Sequence, residues 1–150
     1  MQEPRRGDPL VADASVLVKW FNREEHRDRA LLLREAHIRG RLTIMAPTLA
    51  PYEVCNALRY GGVPAEGVKA AHRILRGFHV AFIEPSDEVM SLAVATSFER
   101  DLTVYDASYI ALAGNLGAPL VTADAKMVKN APRDVKVMRL SSDAFLDTVS

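Results

Sequence analysis

The sequence contains a single cysteine, Cys55, so an internal disulfide is excluded. No apolar run reaches the roughly 18 residues that a membrane-spanning helix needs, and the opening MQEPRRGDP has no apolar signal-peptide core behind its arginines. The chain has no excess charge either: 19 basic residues balance 19 acidic ones. From these absences we expect a cytoplasmic, non-membrane protein, in which any nucleic-acid partner is held by a local patch and not by overall charge.

Apolar residues make up 49% of the 150 positions, which is enough to bury one sizeable core. We therefore expect a single domain over residues 9–150, preceded by a flexible tail over residues 1–8. The four histidines do not cluster with the cysteine, and this argues against a structural zinc site.

Short apolar runs alternate with longer segments of helical periodicity. The runs predict strands over residues 10–12, 43–46, 80–83, 119–122 and 135–140. The segments between and after them predict helices over 15–22, 23–39, 51–60, 64–77, 86–100, 106–116 and 142–148. Because the strands are apolar throughout, they favour a parallel sheet covered on both faces. The predicted fold class is α/β, with three α/β/α layers around a central, mainly parallel five-stranded sheet.

Two of the predicted strands end on an aspartate, Asp13 after LVA and Asp124 after LVTA. The carboxyl ends of parallel strands share one edge of the sheet, and ligands bind there. Helices that follow such strands begin at the same edge, so the first turns containing Glu53 and Asp106 are added to it. We therefore expect four carboxylates to share one pocket.

Each acid also has a structural explanation. Aspartate is a favoured helix N-cap, and acids in a first turn are stabilised by the helix dipole by about 0.3 to 1 kcal/mol. Capping alone would explain Asp106 and Asp124. Glu53 is harder to explain in this way, because it is the single charge in the apolar and small-residue stretch LAPYEVCNAL.

Four converging carboxylates raise one another's pKa unless a cation compensates. Oxygen ligands without thiolate or imidazole favour hard ions, Mg²⁺ first and Mn²⁺ second, and such a site suits phosphodiester hydrolysis. Ser15 and Thr122 each lie two residues from an aspartate, where they could hold the carboxylates by hydrogen bonds or simply cap turns.

Four motifs, D-A-S, P-x-E-x-x-N-A-L, Y-D-A-x-Y and T-A-D, occur in this order and together resemble the PIN-domain family, specifically the VapC-type toxins of toxin-antitoxin pairs. The resemblance covers nearly the whole chain. It implies a Mg²⁺- or Mn²⁺-dependent endoribonuclease that cuts RNA. The catalytic and metal-binding residues that it implies are Asp13, Glu53, Asp106 and Asp124.

The same resemblance implies supporting roles and partners. Ser15 and Thr122 match polar positions that accompany the first and last acids, and Asn56 is expected to make a structural hydrogen bond. A homodimer is implied, together with a VapB-type antitoxin whose peptide blocks the acidic groove, often through an inserted arginine.

An acidic pocket repels phosphate, so an RNA substrate needs basic residues around that pocket. Lys69, Arg73 and Arg76 recur with His72 at helical spacing and form one stripe, and Lys126 follows Asp124. Such a stripe either contacts RNA or is a solvated face. For Tyr105 and Tyr109, apolar neighbours favour packing over base stacking.

Two other protein families with acids at this edge of the sheet do not match the sequence. Haloacid-dehalogenase-like phosphatases need a second aspartate two residues after the first, where this chain has Ser15. Receiver domains pair two acids after their first strand, and this chain does not. Two alternatives stay open: a non-catalytic PIN-like module that binds RNA or protein, and a structure-specific DNA nuclease with the same metal site. The presence of all four acids favours catalysis.

Overall fold

The computed structural model describes residues 7–150. Within them, five strands form one sheet: β1 (Asp8–Ala12), β2 (Leu42–Pro47), β3 (Ala81–Ile83), β4 (Leu120–Thr122) and β5 (Val137–Arg139). Their order is β3-β2-β1-β4-β5, and every neighbouring pair is parallel. The central strands are the most protected: Leu10, Val11 and Ala12 of β1 are at most 1% exposed, and all three residues of β4 are fully buried.

The helices of the described residues are α1 (Ala14–Leu17), α2 (Arg27–Ile38), α3 (Ala50–Tyr60), α4 (Ala65–Gly77), α5 (Asp87–Arg100), α6 (Val104–Leu116), α7 (Ala125–Asn130) and α8 (Leu146–Val149). Short 3₁₀ turns occupy Val18–Trp20 and Asp143–Phe145. Because parallel crossovers are right-handed, this strand order places the helices between β1 and β3 on one face of the sheet and those between β3 and β5 on the other. The predicted α/β class is confirmed, with the sheet entirely parallel.

The N-terminal boundary differs from the prediction. Asp8 already pairs with Leu42, so β1 begins inside the stretch that was predicted to be a tail. Gly7 precedes β1, and its backbone lies so close to that of Arg41 that a Cβ at this position would overlap the Arg41 carbonyl group. Residues 1–6 of the predicted tail lie outside the described residues.

The first helical region also differs. The predicted helix over residues 15–22 is a single α-turn followed by a 3₁₀ turn, and α2 begins at Arg27 and not at residue 23. His26 has a φ of 63°, a left-handed conformation that a continuous right-handed helix cannot contain. The backbone therefore breaks at His26, and the apolar face of α2 starts one turn later.

Helix α6 runs through the interior. Every residue from 107 to 113 is buried, which explains why this segment is mostly apolar around its whole circumference. It ends at Gly117, whose φ of 64° suits glycine as a C-terminal cap. None of the helices within residues 7–150 has both the length and the apolar character needed to span a bilayer.

Candidate acidic site

The sheet brings Asp13 and Asp124 to the same edge. Asp13 directly follows β1, and Asp124 follows the adjacent strand β4 after one intervening alanine. The backbone N–H of Asp13 donates to the carbonyl oxygen of Val121 at 3.0 Å, which extends the ladder beyond the strand ends. Two acids 111 positions apart in the numbering thus stand on neighbouring chains.

Two hydroxyl groups fix the Asp13 carboxylate. Ser15 Oγ donates to Asp13 Oδ2 at 2.5 Å, and Thr122 Oγ1 donates to the same oxygen at 2.9 Å. Each hydroxyl also accepts a backbone N–H at 3.0 Å, Ser15 from Ala123 and Thr122 from Asp124. The carboxylate of Asp13 is therefore tied through both hydroxyls to the backbone that leads into α7.

Asp13 is buried, with 6% of its surface exposed. Burial is the largest influence on its carboxyl group and raises its pKa above the ordinary value of 3.8. The hydroxyls of Ser15 and Thr122 and the backbone N–H groups of Ser15 and Ala14 lower the pKa but do not cancel the effect of burial. Protonation of the Asp13 carboxylate, or a cation bound next to it, is therefore favourable.

Glu53 reaches the site from the first turn of α3. Its Oε1 accepts a hydrogen bond of 2.7 Å from the hydroxyl of Tyr109, a fully buried residue of α6. Burial raises the pKa of Glu53 most, the charges of Asp13 and Asp106 raise it further, and the hydrogen bond from Tyr109 lowers it. Glu53 thus lies within electrostatic reach of two of the other acids.

Tyr109 is the contact that the sequence interpretation missed. It packs in the core as predicted, but its hydroxyl also orients a site carboxylate. Burial and the charge of Glu53 raise the pKa of Tyr109, so the phenol stays protonated and acts as a donor. The available signal was its spacing: Tyr109 comes three residues after Asp106 on α6, and residues three apart share a helix face.

Asp106 is not the cap of its helix. Helix α6 begins at Val104, and Thr103 Oγ1 accepts the N–H of Asp106 at 3.0 Å. The capping explanation for Asp106 is therefore wrong, because Thr103 fills that role. Burial raises the pKa of Asp106 most, followed by the charges of Asp13 and Asp124, whereas Thr103 and the charge of Lys126 lower it.

Asp124 does cap a helix. Its Oδ1 accepts the backbone N–H of Lys126 at 2.8 Å and starts α7. Capping occupies this one oxygen, and no hydrogen bond to Oδ2 is present among residues 7–150. The structural and the functional explanations of Asp124 are thus compatible.

The four acids supply carboxylate oxygens alone, the donors that Mg²⁺ and Mn²⁺ prefer. In the part of the chain that the structure describes, no three Asp, Glu, His or Cys side chains are close enough to enclose an ion by themselves. Mg²⁺ does not require such a cage, because it keeps several waters and binds through one or two carboxylates. The donor set therefore fits a hydrated hard cation.

The other predicted residues divide into two groups. Asn56 is exposed on α3 and lines a groove between α3 and α4. Within residues 7–150 its side chain makes no hydrogen bond, so the structural hydrogen bond expected of Asn56 is absent. Lys69, Arg73 and Arg76 line the same groove. Lys126 is separate from them: it lies beside the acids, where its charge lowers the pKa of Asp106.

Comparison with known proteins gives the family. The sequence model of the PIN domain matches residues 10–132. Ribonuclease VapC3 of Pyrobaculum aerophilum is 30% identical over 128 residues, covering 82% of this chain and 95% of that protein. Exonuclease VapC9 of the same organism is 34% identical over 135 residues, covering 87% and 91%. The chain therefore belongs to the PIN-domain family. These two relatives also confirm the VapC-type resemblance seen in the motifs.

Solved structures agree in fold. The crystal structure of PAE2754 from Pyrobaculum aerophilum superposes with a TM-score of 0.64 at 25% identity, covering 95% of this chain and 97% of that chain. VapBC2 from Rickettsia felis, bound to a DNA fragment from their promoter, has a TM-score of 0.67 at 16% identity, covering 87% and 98%. FitAcB from Neisseria gonorrhoeae has a TM-score of 0.65 at 13% identity, covering 87% of this chain and 97% of that chain. At these identities the last two show the fold alone.

Proposed function

We propose that this chain is a metal-dependent endoribonuclease and the toxin of a VapBC-type toxin-antitoxin pair, acting in the cytoplasm. The observation that carries the proposal is the approach of acids from four separate elements at one sheet edge, where the charges of Asp13 and Asp106 raise the pKa of Glu53 and those of Asp13 and Asp124 raise the pKa of Asp106. The names of the two relatives, a VapC ribonuclease and a VapC exonuclease, support a nuclease.

We assign Asp13, Glu53, Asp106 and Asp124 to hold Mg²⁺, or Mn²⁺ in its place. A bound divalent cation supplies Lewis-acid chemistry, activating water and neutralising charge that develops on the phosphate and the leaving oxygen. Catalysis at such sites depends on donors that are already fixed before the substrate arrives.

The supporting residues limit the movement of these donors. Ser15 and Thr122 hold the Asp13 carboxylate with two hydrogen bonds to one oxygen, which leaves the second oxygen facing a fixed direction. The hydroxyl of Tyr109, on α6, holds the carboxylate of Glu53, on α3, with one hydrogen bond. We therefore assign Ser15, Thr122 and Tyr109 as positioning residues.

The test combines RNA cleavage with a matched set of conditions. Purified protein is incubated with transfer RNA and total RNA in Mg²⁺, in Mn²⁺ and in EDTA, beside Asp13→Asn and Asp124→Asn variants. We expect cleavage by the wild type with metal and none by either variant. RNA binding without cleavage in every condition would favour the non-catalytic module, and cleavage restricted to DNA would favour the DNA nuclease.

Exonucleolytic cleavage is a second candidate, because the relative at 34% identity is named an exonuclease. A circular RNA has no ends, so only an endonuclease cuts it. We expect the circular RNA to be linearised in Mg²⁺. Degradation of linear RNA alone would establish the exonuclease in its place.

We also propose a cognate antitoxin and a homodimer. Expression of the chain should arrest growth, and co-expression of a neighbouring small gene encoding the antitoxin should relieve the arrest.

The proposed homodimer has a candidate interface on α5. Met90, Val94 and Phe98 form an exposed apolar stripe there at four-residue spacing, and Phe98 is 85% exposed. Light scattering should find a dimer in the wild type and a monomer in Phe98→Glu. A monomeric wild type would refute this part.

A further inference from the structure

A large open groove outside the acidic site lies between α3 and α4 and has a volume of about 1170 Å³. Four permanent cations line it: Arg59 from α3, and Lys69, Arg73 and Arg76 from α4. His72 lies among them, and within residues 7–150 no aspartate or glutamate lines the groove. In a chain with equal numbers of acidic and basic residues, this groove is a local concentration of positive charge.

Most of this charge is available to a ligand. Within residues 7–150, Arg59, Arg73 and Arg76 form no ion pair. Lys69 pairs with Glu66 at 3.1 Å, but both side chains are mostly exposed, and such surface pairs contribute little. By contrast, Arg29 is committed to Asp143 and to backbone carbonyls. Exposed arginines that lack a carboxylate partner are available to the phosphates of a nucleic-acid backbone.

The groove borders the acidic site along α3. Thr48, which follows β2 at the edge where the acids meet, lines the groove. Asn56 lines it as well, three residues after Glu53 and therefore beside it on the helix surface. A strand held in this groove would therefore pass close to Glu53 where it crosses Asn56 and Thr48.

An aromatic side chain stands at the junction. Tyr52 precedes Glu53, lines the groove and is 80% exposed. Exposed aromatic rings beside basic grooves are where single-stranded nucleic acids stack their bases. Because the acids repel phosphate, the substrate backbone must be held by cations beside them, and this groove supplies those cations next to a stacking surface.

Resting on the proposed nuclease function, we propose that the α3–α4 groove binds a single-stranded segment of the RNA substrate. Arg59, Arg73 and Arg76 contact its phosphates, and Tyr52 stacks on a base next to Glu53. The groove thereby selects unpaired RNA, because a stacked duplex does not offer a base face to Tyr52.

The test measures binding apart from cleavage. A short fluorescein-labelled oligouridylate is titrated with wild-type protein in EDTA, and anisotropy is followed over a series of salt concentrations. Arg73→Gln/Arg76→Gln should weaken binding at least 10-fold and reduce the salt slope by about 1.4, because each single-strand phosphate contact contributes about 0.7. The matched control is Arg39→Gln/Arg41→Gln, an equal charge change at exposed positions before β2, which should alter neither quantity.

Tyr52 gives a second, charge-independent readout. Tyr52→Ala should weaken binding about 10-fold with an unchanged salt slope, and Tyr52→Trp should restore it. Mn²⁺ should raise the melting temperature of all groove variants as it does that of the wild type. Unchanged oligouridylate binding in both the arginine and the tyrosine variants would overturn the proposal.

The outcomes separate this proposal from the nuclease proposal. If the wild-type protein does not cut RNA in Mg²⁺, but the groove variants bind oligouridylate more weakly than the wild type does, the nuclease proposal fails and the groove proposal stands. If the groove variants bind and cut RNA normally, the groove proposal alone fails. Loss of antitoxin binding with unchanged RNA binding would make the groove a peptide surface and also overturn it.

Discussion

Replacing Asp13 with asparagine should abolish cleavage and, at the same time, stabilise the metal-free protein. Asp13 is buried, and burial raises its pKa against the lowering effect of its hydrogen bonds. Asparagine has the same shape, and its carbonyl oxygen can still accept the hydroxyls of Ser15 and Thr122. The substitution therefore removes the charge while it keeps the contacts.

The expected gain follows from two opposing terms. Making the two hydrogen bonds neutral costs about 1 kcal/mol each, because bonds to charged groups are about twice as strong. Removing a buried charge recovers several kcal/mol, and it also relieves the repulsion that Asp13 exerts on Glu53 and Asp106. The net stabilisation should be about 1 to 3 kcal/mol, which for a chain of this size raises Tm by about 3 to 9 °C.

The pH dependence has a definite sign. The folded-state pKa of Asp13 is raised, so the folded protein binds this proton more tightly than the unfolded chain does. The contribution of protonated Asp13 to wild-type stability is then fully present below the ordinary pKa of 3.8 and is lost as pH rises through the folded-state pKa. The advantage of the asparagine variant should be near zero in acid and largest at neutral pH.

Thermal unfolding in EDTA, from acid to neutral pH, measures this difference. Adding Mg²⁺ or Mn²⁺ should then stabilise the wild type, by about 2.7 kcal/mol at 100 times the dissociation constant, and leave Asp13→Asn unchanged. A variant that is less stable than the wild type at neutral pH in EDTA would refute the reasoning about the buried charge. An equal metal-induced shift in both proteins would refute the metal site.

Three further substitutions test the supporting contacts. Thr122→Val should destabilise the protein by about 1 to 3 kcal/mol in urea unfolding and lower cleavage, whereas Thr122→Ser should retain both, because the hydroxyl that binds Asp13 is what matters. Tyr109→Phe should lower kcat about 10-fold or more with a Tm within a few degrees of the wild type, since it releases Glu53; unchanged kinetics would contradict this role. His37→Ala should lower the free energy of unfolding in urea by about 1 to 3 kcal/mol without changing kcat. The reason is that the His37 ring is hydrogen-bonded to the backbone carbonyl of Phe78 and accepts the backbone N–H of Ile44, which belong to separate segments. An unchanged urea midpoint would contradict this role.

Several parts of this protein were predictable from local pattern. The apolar runs predicted all five strands of the sheet, because a short, mostly apolar run between helical segments is recognisable from a few consecutive residues. Asp13 and Asp124 could be assigned to one edge from parallel topology alone. The helix boundaries were less predictable, because the left-handed residue His26 and the cap Thr103 depend on backbone conformations that composition does not specify.

The sequence by itself determined the α/β class and which acids are candidates, because these depend on periodicity and on residue type. Only the tertiary structure decided which side chains touch. The bond from Tyr109 to Glu53 joins residues 56 positions apart, and it exists because α3 and α6, which come from separate crossovers, both bring a side chain to the same edge of the sheet. The basic groove with Asn56 on its wall depends in the same way on how α3 lies against α4. Such contacts are set by the packing of separate elements, which no short stretch of sequence encodes.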